Sequence, residues 1–155
     1  MVAVNWKAWQ FLIGDWAGEW HSESGSGIGS LSISPDLQGR ILVRKTHVDF
    51  SSTTDHPAYA HDDLFVIRQE EDGSTLSIYF DDNGRIIHTR AEPLKDDRTI
   101  TFISEASPVK PQFRFTYLHG PGQAVTIRFE ISPPGTPGEF SVHTEGIVKR
   151  RKQDS

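Results

Sequence analysis

The feature that most constrains this chain is a succession of short runs of strand composition, cut at close intervals by Gly, Pro, Asn and Asp. About ten such runs follow Gly14 when apolar and polar residues are read for alternation. They cover Asp15–Ser22, Ser30–Leu37, Arg40–Phe50, Ala58–Glu70, Ser74–Asp81, Arg85–Glu92, Thr99–Ser104, Gln112–His119, Ala124–Ser132 and Phe140–Lys149. The breaks carry turn chemistry. Asn83-Gly84 and Asp72-Gly73 each predict a two-residue hairpin turn, because a type I′ turn needs positive φ at both central residues. "HGPGQ" and "SPPGTPGE" close two later hairpins, and "SESGSGIGS" makes the first turn flexible.

Two-residue turns fix the register and so test whether the runs share one face. The turn at 83–84 predicts Phe80 opposite Ile87 and Ile78 opposite Thr89. The turn at 72–73 predicts Phe65 opposite Phe80 and Ile67 opposite Ile78. Centring "HGPGQ" on Pro121 predicts Phe115 opposite Ile127 and Phe113 opposite Phe129. Apolar residues meet apolar residues each time, and the other face carries Arg68, Glu70, Arg114, Thr116, Arg128 and Glu130. A one-residue slip would turn every side chain over, so this agreement predicts a one-sided antiparallel meander. Such a meander closes on itself to remove its edges. The expected fold is therefore all-β, a single antiparallel up-and-down β-barrel of about ten strands, with a β-sandwich as the alternative.

The stretch "FLIGDWAGEW" fits that barrel. Residues 14, 16, 18 and 20 share one strand face and alternate Gly with Trp, which suits a tapered barrel interior. Trp16 and Trp20 are expected inside. Ahead of them "VNWKAWQFLIG" predicts a short leading helix within residues 1–13, with Asn5 as N-cap and Gly14 as stop, so that Trp6 and Trp9 plug one end.

At 155 residues the chain reads as one domain, 1–155, ending in a basic flexible tail over residues 149–155. Its formal charge of −5 argues against a general nucleic-acid surface; the only basic cluster, "KRRK", lies at the end of the chain. Without cysteine there are no disulfides, thiolate metal sites or cysteine nucleophile. No apolar run is long enough for a bilayer-spanning helix, and "MVAVNWKAWQ" lacks the pattern of a secretory signal, so a cytoplasmic protein is expected.

"GDWAGEW" resembles the Gly-x-Trp signature on the first strand of the calycin superfamily, which includes lipocalins and fatty-acid-binding proteins. "FLIGDWAGE", "LQGRILVRKTHVDF" and "IYFDDNGRIIHTR" together are similar to bacterial lipocalin-like domains of unknown function and to the nitrobindins. The resemblance implies an internal pocket for a small, mostly apolar or aromatic molecule and non-catalytic binding, with no cofactor required. Nitrobindins bind haem through a histidine of the last strand, so the resemblance offers an alternative: a haem b protein handling nitric oxide with His143 as axial ligand. Trp20 stands where the nitrobindin pattern has its last glycine. The parity of Phe140, Val142 and Val148 turns His143 outward.

Within the expected barrel Trp16, Trp20, Phe65, Phe80, Phe102, Phe115 and Phe129 are candidate ligand walls. Tyr117 and His119 continue the inward register of Phe113 and Phe115. His47 joins them if a β-bulge near Lys45 reconciles the mixed parity of its strand, and the three would then orient a ligand. The confidently inward positions, Ile78 and Val142 among them, include no titratable side chain. "DHPAYAHDD" holds His56, His61, Asp62 and Asp63 but reads as a polar loop entering a strand, so no metal site is expected. His21 and His88 fall on the outer face. There is no Gly-x-Ser-x-Gly elbow, phosphate-cradling loop or dinucleotide fingerprint. Catalysis is unsupported; a barrel enzyme using His47 or His119 as base is the third reading, and a homodimer is left open.

Overall fold

The computed structural model describes residues 4–152. Ten strands form one closed antiparallel barrel: β1 (Gly14–Ser22), β2 (Gly25–Asp36), β3 (Ile41–Phe50), β4 (Tyr59–Gln69), β5 (Thr75–Asp81), β6 (Ile86–Ala91), β7 (Thr99–Ile103), β8 (Gln112–His119), β9 (Val125–Ser132) and β10 (Ser141–Arg150). Each strand pairs with its neighbours in sequence, and β1 pairs with β10 from Trp16↔Arg150 to Ser22↔Thr144 to close the circle. The barrel expectation holds, and the sandwich alternative falls. Closure leaves no free sheet edge among the described strands.

The expected leading helix is a single 3₁₀ turn, Lys7–Trp9; residues 1–3 of the predicted segment and 153–155 of the predicted tail lie outside the described residues. The amide of Trp9 donates to the Trp6 carbonyl and that of Leu12 to the Trp9 carbonyl. With i→i+3 bonding, side chains three apart eclipse, so Trp6, Trp9 and Leu12 share one buried side. Trp6 Nε1 donates to the Gly39 carbonyl at 2.7 Å, and Trp9 packs on Phe102 with centroids 5.5 Å apart. Phe11 stacks on His119 at 5.2 Å. This end of the barrel is sealed by its own aromatics. Of the expected tail, Lys149 and Arg150 belong to β10; Arg150 lies over the Trp16 ring at 4.5 Å and donates to the Ile13 carbonyl.

The tryptophans of β1 have defined seats, and that of Trp20 is made by glycines of the flanking strands. Trp16 is 2% exposed and its Nε1 donates to the Leu12 carbonyl at 2.8 Å. The Trp20 indole spreads sideways across its neighbours. A Cβ at Gly146 of β10 would lie 2.5 Å from its ring, and one at Gly29 of β2 would lie 2.6 Å from its Nε1. Only glycine on both flanking strands leaves room for that ring.

One strand faces the opposite way from its expectation. Phe65 pairs with Tyr79, not Phe80, and Tyr79 pairs with Ile87. Ser77 and Tyr79 are therefore inside, while Phe80 is 37% exposed on the outer surface and Ile78 shares its parity. The cause is loop length. Glu70 pairs with Ser74 and Asp81 with Arg85 through backbone bonds, so each turn holds three residues. Gly73 and Gly84 have positive φ, whereas Asp72 and Asn83 do not, which rules out the type I′ turn and gives the three-residue kind. The two one-residue errors cancel, so Ile87 and Thr89 of β6 face inward as expected. At the β8–β9 turn the slip is two residues, Phe115 meeting Phe129 and Tyr117 meeting Ile127, so parity survives.

Candidate functional site

The lower barrel is solid. Phe65, 0% exposed, meets Phe102 and Phe115 with centroids 5.1 Å away, and Tyr117 and Trp16 fill the space beside them. Above this layer, toward the end away from the 3₁₀ turn, the interior opens into a cavity of about 250 Å³. Larger hollows lie outside the barrel wall, among them one of 940 Å³ between the leading segment and the β4–β5 turn, one of 660 Å³ between that segment and the start of β7, and one of 610 Å³ on the outer face of β2–β5.

The cavity has an aromatic wall and a polar one. Phe115 and Phe129 stack at 4.8 Å and 18°, and Tyr79 lies nearly parallel to Phe129 at 6.0 Å and 21°. Opposite stand Trp20, Val48 and Phe50, with Arg44, His61 and Asp63 between the two. At the mouth are Tyr59, Asn83, Arg85 and His143. Tyr59 is held by Ser24 Oγ at 2.7 Å and stacks on Phe50 at 4.9 Å.

A chain of polar groups runs from the barrel centre to this mouth, where the sequence expectation held no titratable group. Arg44 Nη1 donates to the Tyr117 hydroxyl at 2.7 Å, and Nη2 donates to Asp63 Oδ1 at 2.9 Å. Asp63 Oδ2 lies 3.2 Å from His61 Nε2, and His61 Nδ1 lies 3.5 Å from Asp82. The Tyr79 hydroxyl donates to Asp81 Oδ2 at 3.1 Å and approaches His61 Nε2 at 3.3 Å. The guanidinium also sits over the Phe65 ring at 4.8 Å, a cation–π contact that helps a buried charge.

Electrostatics follow this geometry. Burial alone would raise the Asp63 carboxyl, but the Arg44 charge and the His61 bond hold it below the ordinary carboxylate range. Burial works against the Arg44 charge, and Asp63, Tyr117 and Tyr79 together more than offset it, so the guanidinium stays protonated. Burial pushes the Tyr117 phenol up to about 12 and Tyr79 higher still. The bond to Asp63 raises His61 despite burial, whereas burial and the nearby Arg85 lower His143.

Two buried N–H groups on this lining, Trp20 Nε1 and Arg44 Nε, have no acceptor among the described residues. An unmatched buried donor costs about 1–3 kcal/mol, so native proteins keep few of them.

The structure sorts the expected site residues into groups. Trp20, Phe115 and Phe129 line the cavity. Trp16, Phe65, Phe102 and Tyr117 are buried in the packed layer, and His119 lies at the sealed end against Phe11. Phe80 and His47 are outside, both on the outer groove of β2–β5. β3 pairs with β2 and β4 in unbroken register, so no bulge exists near Lys45. Leu42, Arg44, Thr46, Val48 and Phe50 alternate inward, and His47 turns out to meet Asp62 at 2.8 Å and Asp49 at 3.1 Å. It does not converge with Tyr117 and His119.

A bulge occurs instead in β10, where the register shifts between Val142 and Thr144. His143, expected outward, faces the cavity mouth and meets the edge of Phe129 at 5.6 Å, while Val142, expected inside, is 45% exposed. Arg44, His61, Asp63 and Tyr79 were not among the expected site residues. A signal for three of them existed: residues 44 and 50 share strand parity, as do 61, 63 and 65, so Phe50 and Phe65 place Arg44, His61 and Asp63 inside.

No group of His, Asp and Glu among the described residues is arranged to hold a metal ion, and no helix among them is long and apolar enough to cross a membrane. No family model matches the sequence, and no curated protein matches it. The fold does have solved counterparts. The crystal structure of Rv2717c from M. tuberculosis superposes with a TM-score of 0.63 at 13% identity, covering 98% of this chain and 100% of that one. A likeness at that identity speaks for the barrel architecture alone.

Proposed function

We propose that this barrel, a calycin-like or lipocalin-like fold, binds a small and mostly apolar molecule in the cavity between Trp20 and the Phe115–Phe129 stack. The observation that carries the reading is the cavity itself: about 250 Å³ of space inside a closed barrel, with a stack of aromatic side chains on one side. Ligand pockets usually combine apolar walls with a few placed polar groups, and their volumes begin near ~300 Å³. A ligand of one or two fused rings suits the space. The binding is non-catalytic in this proposal: the Asp63 oxygens are committed to Arg44 and His61, and the Tyr79 hydroxyl to Asp81.

Intrinsic tryptophan fluorescence tests it, because Trp20 borders the cavity. Titration with fatty acids and small aromatic probes is expected to change the emission, and native mass spectrometry to show a one-to-one adduct. An unchanged spectrum and no adduct across the panel overturn the proposal.

Haem with His143 as axial ligand is the second reading, favoured by the β10 bulge that brings this imidazole to the cavity. The residues present do not fit the macrocycle. The Trp20 ring fills the space between Gly29 and Gly146, and the remaining volume lies below the range of drug-sized sites. Reconstitution with haem decides: a Soret band lost in His143→Ala would reverse this ranking.

A further inference from the structure

We infer that the occupant of the cavity is a planar aromatic molecule bearing an oxygen acceptor, a carbonyl or a carboxylate, whose oxygen receives the unpaired N–H of Trp20 or of Arg44. The inference rests on the binding proposal above and specifies the chemistry of the ligand.

Three observations carry it. The first is an imbalance of donors. Arg44 is 3% exposed and spends Nη1 on Tyr117 and Nη2 on Asp63, leaving Nε–H without an acceptor. Trp20 is 5% exposed and its Nε1–H has none. Both residues line the same cavity. The second is that the neighbouring carboxylates are already used, while Thr46 Oγ1, the third unpaired polar atom on this lining, can donate as readily as accept. Asp63 Oδ1 takes Arg44 and Oδ2 faces His61, while Asp81 Oδ2 takes the Tyr79 hydroxyl. A ligand entering here therefore finds donors in excess, and an indole N–H can only donate.

The third is that the indole is held in place. Its six-membered ring lies against Gly146, its Nε1 against Gly29, and Val48 Cγ2 lies beside that same Gly29 position. Turning the ring to find another acceptor would drive it into a neighbouring strand. The opposite wall is aromatic, with Phe129 nearly parallel to both Phe115 and Tyr79 and Phe115 tilted 38° to Tyr79.

Charge does not choose between the two oxygen sources at the cavity floor. The Arg44–Asp63 pair is neutral as a unit, so a neutral carbonyl suffices there, and the Arg85 guanidinium at the mouth is balanced by Asp81 at 3.9 Å. The chemistry they share is the sp² oxygen acceptor.

Calorimetric titration of the full chain with three shape-matched probes tests the inference: 2-acetonaphthone, 2-naphthoate and the hydrocarbon 2-isopropylnaphthalene. At least one oxygen-bearing probe is expected to bind about tenfold more tightly than the hydrocarbon, the ratio one well-made hydrogen bond supports. Trp20→Phe keeps a flat ring and removes the N–H; Arg44→Lys keeps the cation beside Asp63 and removes Nε–H. One of these two variants is expected to lose most of the oxygen advantage, read as the ratio of oxygen-probe to hydrocarbon affinity within that same variant. Preference for acetonaphthone assigns a carbonyl, and preference for naphthoate a carboxylate. Equal binding of hydrocarbon and oxygen probes overturns this inference and leaves the cavity reading standing, as does an advantage that survives in both variants. Binding of none of the three overturns both.

Discussion

Arg44 Nη2 and Asp63 Oδ1 lie 2.9 Å apart inside the barrel, on side chains only 4% and 8% exposed. A pair this deeply buried does little for stability in itself, because desolvation offsets most of the attraction, yet neither member tolerates losing the other. Arg44→Met is expected to lower the unfolding free energy by about 3–5 kcal/mol, since it leaves a carboxylate buried without its cation. The double variant Arg44→Met/Asp63→Leu is expected to recover much of that loss. Urea unfolding of the wild type, both singles and the double closes the cycle; a double no more stable than Arg44→Met would refute this account.

The reversed face of β5 makes Tyr79 and Phe80 a sharp contrast. Tyr79 is 3% exposed and touches Phe65, Phe115 and Phe129, whereas Phe80 lies on the outer wall. Tyr79→Ala is expected to cost about 3–5 kcal/mol, like other large aromatic truncations in a core. Phe80→Ala is expected to cost well under half of that, nearer the range of ordinary surface changes. Similar losses for the two would mean that the register derived from the three-residue turns is wrong.

Most of the fold was legible because period-two alternation and turn residues act locally. The interior side chains at Trp16, Phe65, Phe102 and Phe115 follow directly from that alternation. What was not legible depends on single backbone choices. Asp72 and Asn83 avoid positive φ, which lengthens each turn by one residue and turns Phe80 out. The bulge at His143 needs only a local change of pairing, and nothing in "FSVHTEG" announces it. The polar chain was missed for another reason. Charged residues are read as outward by default: Asp63 reads as part of a polar loop and Arg44 draws no notice, although they share parity with buried Phe65 and Phe50. Burial of one required burial of the other, a long-range condition that no single run of sequence contains.

The seat of the Trp20 indole predicts a strong response to a small change. A methyl group at position 146 would lie 2.5 Å from the ring on a strand fixed by pairing on both sides. Gly146→Ala is expected to destabilise the protein by about 1–3 kcal/mol, the usual range for overpacking. It is also expected to shift tryptophan emission as the indole is pushed toward the cavity. An alanine variant with wild-type stability and emission would show that the ring does not rest on this strand.

His61 makes stability depend on pH in a direction its partners determine. The bond to Asp63 is the main cause of its raised affinity for a proton, with Asp82 and Asp81 adding to it and burial opposing. A group whose folded value is raised contributes stability that is complete below its unfolded value, ~6.5, and fades as pH rises through the folded value. Asp63 is held below its ordinary range, so it remains a carboxylate throughout this window and keeps attracting the imidazolium. The wild type is therefore expected to exceed His61→Gln in stability most clearly near pH 5.5, and the gap to narrow by pH 8.5. His143 is shifted the opposite way, by burial first and Arg85 second. Its neutral form is the one the fold favours, so its contribution is present above ~6.5 and lost as pH falls. The gap between wild type and His143→Gln is expected to move toward the variant on acidification. Urea midpoints at the two pH values measure both trends, and a His61 gap that is constant or widens toward pH 8.5 would contradict the ion-pair role given to this residue.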